Sequence, residues 1–211
     1  MTETAVYIGI SGNIGVGKSQ LTRVLSERLG WDAYYEPVIE NPYLEDFYAD
    51  MARYSFHLQV FFLSERFRAM QACLSASRSL IQDRTLYEDG EIFAPTLRDL
   101  GMLTERDYRN YRALYETLLS TVRPPDRILL LTAPTAVLLE RIRRRDRSFE
   151  RHVDAPYLER LDRRYRDWAE RISRSTSVQT IDTSRLDLEG RDGELDRLVG
   201  DLAAWAKGAR R

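Results

Sequence analysis

Eight consecutive residues near the start of the chain, Gly12, Asn13, Ile14, Gly15, Val16, Gly17, Lys18 and Ser19, have types and spacing suited to holding a chain of phosphates. Glycines at the first, fourth and sixth places let the backbone curl until its N–H groups point inward around an anion. Lys18 then offers a positive charge to the β- and γ-phosphates, and the Ser19 hydroxyl offers an oxygen to Mg²⁺. The lysine is informative by its rarity: of 32 Lys plus Arg, only Lys18 and Lys207 are lysines. A compact ammonium on a flexible stem suits such a loop better than a planar guanidinium fork. The bland alternative is a glycine-rich turn that matches by coincidence, and the flanks argue against it. Ala5–Ile10 is a short apolar, β-branched run that predicts a buried strand. Leu21, Val24, Leu25 and Leu29 are spaced as one face of a helix that stops at Gly30. Binding of a nucleoside triphosphate follows from loop and flanks together.

Moving the terminal phosphoryl group to a small hydroxyl acceptor needs Mg²⁺, a base near the acceptor oxygen, and positive charge on the transferring group. Asp83, after the apolar run Ser79–Gln82, is placed as an acid that joins Ser19 on the metal. Glu36 ends the run Ala33–Tyr35 and is the candidate base; an ordinary surface glutamate is the competing reading. Arg84 can bind a phosphate, hold Glu36, or form a plain structural ion pair. Arg141, Arg143, Arg144, Arg145, Arg147 and Arg151 crowd eleven residues, with Asp146 and Glu150 between them. A lid closing over the triphosphate, a solvated helix face and a nucleic-acid patch compete here; the net charge of −1 opposes the last. An acceptor pocket is suggested by Tyr48, Gln59, Arg66, Asp89 and Phe93, which combine aromatic faces with donors and acceptors for a planar base. Gln59 and Arg66 stand seven residues, two turns, apart on an expected helix over 53–76, whose apolar stripe is Phe56, Val60, Leu63, Phe67 and Met70. Either polar residue can equally be a buried side chain with local partners.

Five short apolar runs position these groups: the two before Gly12 and Glu36, the one before Asp83, Arg127–Thr132 and Ser177–Ile181. Helical patterns separate them, so the fold expected is α/β, a doubly wound five-stranded parallel sheet of the P-loop kinase type. Ligands in such sheets sit at the carboxyl ends of the strands, where Gly12, Glu36 and Asp83 fall. At 211 residues the chain is read as one domain, 1–211, with the lid at about 141–152. Its one cysteine, Cys73, excludes an internal disulfide, fits a reducing cytoplasm and is expected in the core. No run approaches 18 apolar residues and the net charge is −1, so neither a membrane nor nucleic acid is an expected partner. The tail from Ala206 to Arg211 is expected to fray.

Several of these stretches together resemble the deoxynucleoside kinase family. They are Glu36-Pro37-Val38, Asn41-Pro42, Phe47-Tyr48, Phe56-His57-Leu58-Gln59 with Arg66, Asp83 through Asp89 followed by Ile92-Phe93-Ala94, the lid, and Tyr157 through Leu161. The order is right and nearly the whole chain is covered; the bacterial deoxyadenosine and deoxyguanosine kinases are the nearest likeness. The resemblance implies transfer of the ATP γ-phosphoryl group to the 5′-hydroxyl of a purine deoxynucleoside, in nucleotide salvage. It implies that Glu36 takes the 5′-hydroxyl proton with Arg84 beside it, and that Tyr48 and Glu150 hold the 3′-hydroxyl. Gln59, with Arg66 and Asp89, would bind the base edge; Arg141 and Arg145 would contact the nucleotide and its phosphates; Ser19 and Asp83 would hold Mg²⁺. Family members are commonly homodimers through a helix bundle.

The chain departs from the family pattern in places. Thr85 stands where serine is usual, Gly90-Glu91 where larger residues occur, and Phe62 where some relatives are small. The Arg66 and Asp89 pair goes with purine or cytosine and against thymidine, without separating adenine from guanine. Rival classes lack their own signatures. A monophosphate kinase would need further arginines around the acceptor, and a switch GTPase a lysine in its guanine reader. A silent relative would have lost Lys18 or Glu36.

Overall fold

The computed structural model describes residues 5–36, 41–74, 78–186 and 193–209, without the side chains of 72–74 and 209. Pro37, Val38, Ala76, the Cys73 side chain, Arg210 and Arg211 fall outside the described residues, and so does the packing role expected of Cys73. Five strands, β1 (Tyr7–Gly12), β2 (Asp32–Tyr34), β3 (Leu80–Asp83), β4 (Arg127–Thr132) and β5 (Ser177–Asp182), form one parallel sheet in the order β2-β3-β1-β4-β5. The doubly wound α/β sheet expected from the alternating pattern is thus the fold. Strand order reverses at β1, with β2 and β3 on one side and β4 and β5 on the other, so the carboxyl end of β1 faces the ligand crevice.

Burial on both faces explains why β4 reads as a continuous apolar run. Leu129 and Leu131 enter a core with Ile8, Ile10, Leu21, Leu25 and Ile181, while Ile128 and Leu130 enter another with Leu161, Tyr165 and Trp168. The first core is covered by α1 (Lys18–Leu29), α7 (Thr135–Arg145) and α9 (Gly193–Ala209); the second by α8 (Ala155–Ile172). A third packs α3 (Met51–Leu74), α2 (Leu44–Ala49), α5 (Ala94–Asp99) and α6 (Glu105–Leu119) beside Tyr7 and Leu80. The remaining short pieces are α4 (Leu86–Glu88), which runs through a π turn at Asp89–Phe93 into α5, and a 3-10 turn at Ser148–His152. No helix among the described residues is long and apolar enough to cross a membrane.

Three sequence expectations need correction. The first strand runs to Gly12 rather than ending at Ile10, because Ser11 and Gly12 pair with Leu130 and Leu131 of β4. The inward face of α3 is Ser55, Leu58, Gln59, Phe62, Leu63, Arg66 and Met70; Phe56, Val60 and Phe67 stand beside it, half-buried. Polar residues hold places on that inward face, so counting apolar ones alone rotates it. Residues 206–209, expected to fray, are helical and continue α9, whose Leu195, Leu198, Leu202 and Ala206 recur at helical spacing and are buried.

Candidate active site

The loop between β1 and α1 is built on glycines that nothing else can replace. Gly12, Gly15 and Gly17 have φ of +145°, +79° and +99°. A Cβ at Gly12 would lie 2.5 Å from the Leu131 carbonyl, and one at Gly15 2.9 Å from that of Leu138. Two side chains fasten the loop from below. Asn13 is buried, donating to the Leu158 carbonyl at 2.8 Å and accepting from the Ile14 N–H at 2.8 Å, and Val16 is sunk in the core. Gly17 caps α1 with no side chain on the first N–H groups, which leaves that helix end open to an anion. Lys18 arches over the loop, its Nζ 2.9 Å from the carbonyls of Gly12 and of Asn13.

Asp83 ends β3 beside this loop. Its Oδ2 accepts from the Ser19 hydroxyl, and its buried Oδ1 has no partner among the described residues. Burial raises the Asp83 carboxyl, with Lys18 opposing. That orphaned oxygen next to a hydroxyl fits Mg²⁺, which keeps several waters and takes one or two protein oxygens plus phosphate oxygens. No cluster of three or more His, Cys, Asp and Glu suited to a metal occurs among the described residues, and this mode of binding does not need one.

A cavity of about 740 Å³ opens in front of the loop and gathers residues from along nearly the whole chain. Ile14, Gly15, Gly17, Lys18 and Ser19 line it together with Glu36, Tyr48, Gln59, Phe62, Arg66, Arg84, Asp89, Phe93, Arg141, Arg145 and Glu150. Gly12, Asn13, Val16 and Asp83, also expected at the site, lie behind this wall as its supports. Among the described residues seven basic side chains line the cavity against three acidic ones, Glu36, Asp89 and Glu150. That surplus suits a polyanion.

Charge inside the cavity runs along one connected line. Arg66 is buried and pairs with both Asp89 and Glu36; Arg84 Nε lies 3.3 Å from the other oxygen of Glu36. Burial alone would raise the Glu36 carboxyl, but Arg84, Arg66 and Lys18 outweigh it and hold it at about 2. Glu36 is therefore an ionised proton acceptor at neutral pH. Burial works against the Arg66 charge, and Asp89 and Glu36 more than offset it. Gln59 Oε1, Asp89 Oδ2 and Arg66 Nε are buried with no partner among the described residues, an open edge of acceptors and a donor. The Phe62 ring lies under Arg66 at 4.7 Å and Phe93 under Arg84 at 4.5 Å, giving flat apolar walls beside it.

The chain is similar to known proteins in sequence and in fold. The deoxynucleoside kinase family model matches residues 8–204. The chain belongs to the deoxynucleoside kinase family. It is 36% identical over 199 residues to a deoxyadenosine/deoxycytidine kinase of Bacillus subtilis, covering 93% of this chain and 91% of that one. It is 35% identical over 213 residues to a deoxyguanosine kinase of Lactobacillus johnsonii, covering 95% and 94%. The solved structure of deoxyadenosine kinase from M. mycoides with bound dCTP superposes with a TM-score of 0.82 at 28% identity, over 94% of this chain and 100% of that one. This kinase is accordingly a phosphotransferase that uses ATP and acts on a small nucleoside.

Tyr48 and Glu150 both line the kinase cavity. Tyr48 stacks on Phe149 at 6.1 Å, and burial, with Tyr157 and Glu150 nearby, keeps its phenol protonated. Glu150 is buried and accepts from Arg145 Nε at 3.0 Å and from Arg147 at 3.4 Å. Arg141 donates to the Thr183 hydroxyl at 2.9 Å, the Thr183 carbonyl at 2.7 Å and the Val16 carbonyl at 3.3 Å, tying α7 to the loop. Sequence reasoning missed Arg144, Phe149, Tyr157 and Leu186 as cavity residues, and Tyr165, whose hydroxyl accepts from Arg84 at 3.3 Å. Tyr157 and Tyr165 keep helical spacing with Leu161, and that pattern reads as core.

Proposed function

We propose that this kinase moves the γ-phosphoryl group of ATP to the 5′-hydroxyl of a purine deoxynucleoside, in nucleotide salvage. The observation that carries the reading is the line Asp89–Arg66–Glu36–Arg84 running from an unfilled polar edge to the phosphate loop. A base set between Phe62, Phe93 and Gln59 would direct its sugar toward Glu36. Glu36 would take the 5′-hydroxyl proton as that oxygen attacks phosphorus, and the bond from phosphorus to the β,γ-bridging oxygen of ATP would break. Lys18, the N–H groups of residues 14–19, Arg141 and Arg145 would hold the phosphates, and Arg84 would stand between Glu36 and the transferring group. Tyr48 and Glu150 would take the 3′-hydroxyl. Bound by Ser19 and Asp83, Mg²⁺ would neutralise charge on the phosphate oxygens.

Deoxycytidine is the second reading, favoured by the pattern of orphaned atoms. Adenine and cytosine both present an amine donor beside a ring acceptor, as Asp89 Oδ2 and Arg66 Nε require. The names of the Bacillus subtilis and M. mycoides relatives include adenine and cytosine compounds. We read the chain as a single kinase domain whose lid spans about 141–152, working in the cytoplasm as a homodimer. Half-buried Phe56, Val60 and Phe67 on α3, with Leu114 40% exposed on α6, supply apolar surface for a helix bundle between copies.

An ATP-coupled screen of the four deoxynucleosides, adenosine, guanosine and the matching monophosphates tests the reading. Turnover of deoxyadenosine or deoxyguanosine is expected, and added turnover of deoxycytidine supports the second reading. Turnover of monophosphates alone would overturn the acceptor assignment.

A further inference from the structure

Glu88 has no part in that reaction, yet no acidic side chain among the described residues is more deeply buried. Its Oε2 accepts from the Thr85 N–H at 2.6 Å and from the Thr85 hydroxyl at 2.7 Å; its Oε1 has no partner among the described residues. The residue between this clamp and Asp83 is Arg84, whose φ is +66°. An L side chain keeps a left-handed backbone only where its surroundings impose it. Here they do so from both sides. The Arg84 N–H donates to the Ile10 carbonyl at 2.9 Å, continuing the β1 ladder. The next residue is held by Glu88 and is wedged against β1, where a Cβ on Gly9 would lie 2.4 Å from the Thr85 methyl. A chain with serine at 85 would leave that space empty. From this pose the guanidinium reaches Glu36, Tyr165 and Phe93 together.

We infer that Glu88 is a positioning residue for phosphoryl transfer: by clamping Thr85 it holds Arg84 in the left-handed conformation that aims its guanidinium at Glu36. The inference rests on the proposed roles of Arg84 and Glu36. A cap that served folding alone would stabilise α4 and leave Arg84 indifferent to it. But α4 has only three residues, and the carboxylate that caps it is wholly buried within reach of the Arg84 charge.

The test is deoxynucleoside phosphorylation by the full chain carrying Glu88→Met, Arg84→Lys, or both, with single-turnover measurements for the weak variants and thermal melts as the folding control. Methionine keeps the length of the side chain and removes the acceptor oxygen, which glutamine would retain. A small displacement of a reacting group costs up to about a hundredfold in rate, so Glu88→Met is expected to lower kcat by about tenfold or more. KM for ATP and for the nucleoside should stay within about twofold, and the loss should shrink to under about twofold in the Arg84→Lys background, because both changes remove one interaction. An equal loss in both backgrounds, or unchanged kcat in a folded Glu88→Met variant, overturns the inference. Should Glu88→Met fail to fold, Thr85→Val removes the clamped hydroxyl and keeps the methyl against Gly9; it is held to the same comparison. Absence of turnover by the unaltered chain would instead reject the proposed function.

Discussion

At Lys18 burial opposes the charge that the phosphate loop needs. Desolvation first, then Arg84, lowers its ammonium to about 7, with Asp83 and Glu36 pulling the other way. A bound triphosphate restores the charge, so above pH 7 ATP should arrive with uptake of a proton. Affinity should then fall as pH rises, by up to about tenfold per pH unit. Calorimetry at pH 8 in two buffers of different ionisation enthalpy reads this directly, and equal heats would reject it. Glu36 shows the opposite balance: held at about 2, it is ionised across the working range, so it sets no acid limb between pH 5 and 7. Glu36→Gln should leave ATP binding nearly intact and lower turnover by about 10²–10⁴. Near-normal turnover would remove Glu36 from the role of base.

The elements decide which of many similar side chains is available. In α7 and the 3-10 turn after it, Arg141 is bound to Thr183 and Val16, while Arg145 and Arg147 are held by Glu150. Arg144 lines the same cavity without a hydrogen bond or ion pair among the described residues. Residues 141, 144 and 145 share one helix face, which turns Arg144 toward the cavity that the proposed reaction would fill with phosphates, while its neighbours are tied to the protein. Arg144→Gln should raise KM for ATP by about tenfold, the weight of one hydrogen bond to a charged group. The melting temperature should hold, since no contact is lost. A KM change confined to the nucleoside would place Arg144 elsewhere.

Across the whole molecule, three cores support one cleft, and α8 links a core to the chemistry. Trp168 is 2% exposed and packs with Ile92, Ile128 and Leu130, one turn beyond the Tyr165 that touches Arg84. Trp168→Ala should cost about 3–5 kcal/mol of folding stability. Urea unfolding measures it, and a loss under about 1 kcal/mol would show that this core tolerates the cavity.

The glycine loop, the alternation of strands and helices, the acid at the end of β3 and the two-turn spacing of Gln59 and Arg66 were all legible in the amino-acid sequence. Each depends on residues close in the chain, where period and residue type carry the signal. Strand lengths at the loop, the true inward face of α3 and the helix at the carboxyl end were less so, because pairing and packing with distant residues set them. Tertiary structure alone decided that Arg66 joins Asp89 to Glu36, that Arg84 takes a left-handed backbone, and that Arg144 lines the cavity without an ion pair among the described residues. Thirty arginines carry the same charge and the same fork. Only the partners that folding brings to each one distinguish a brace from a binding group.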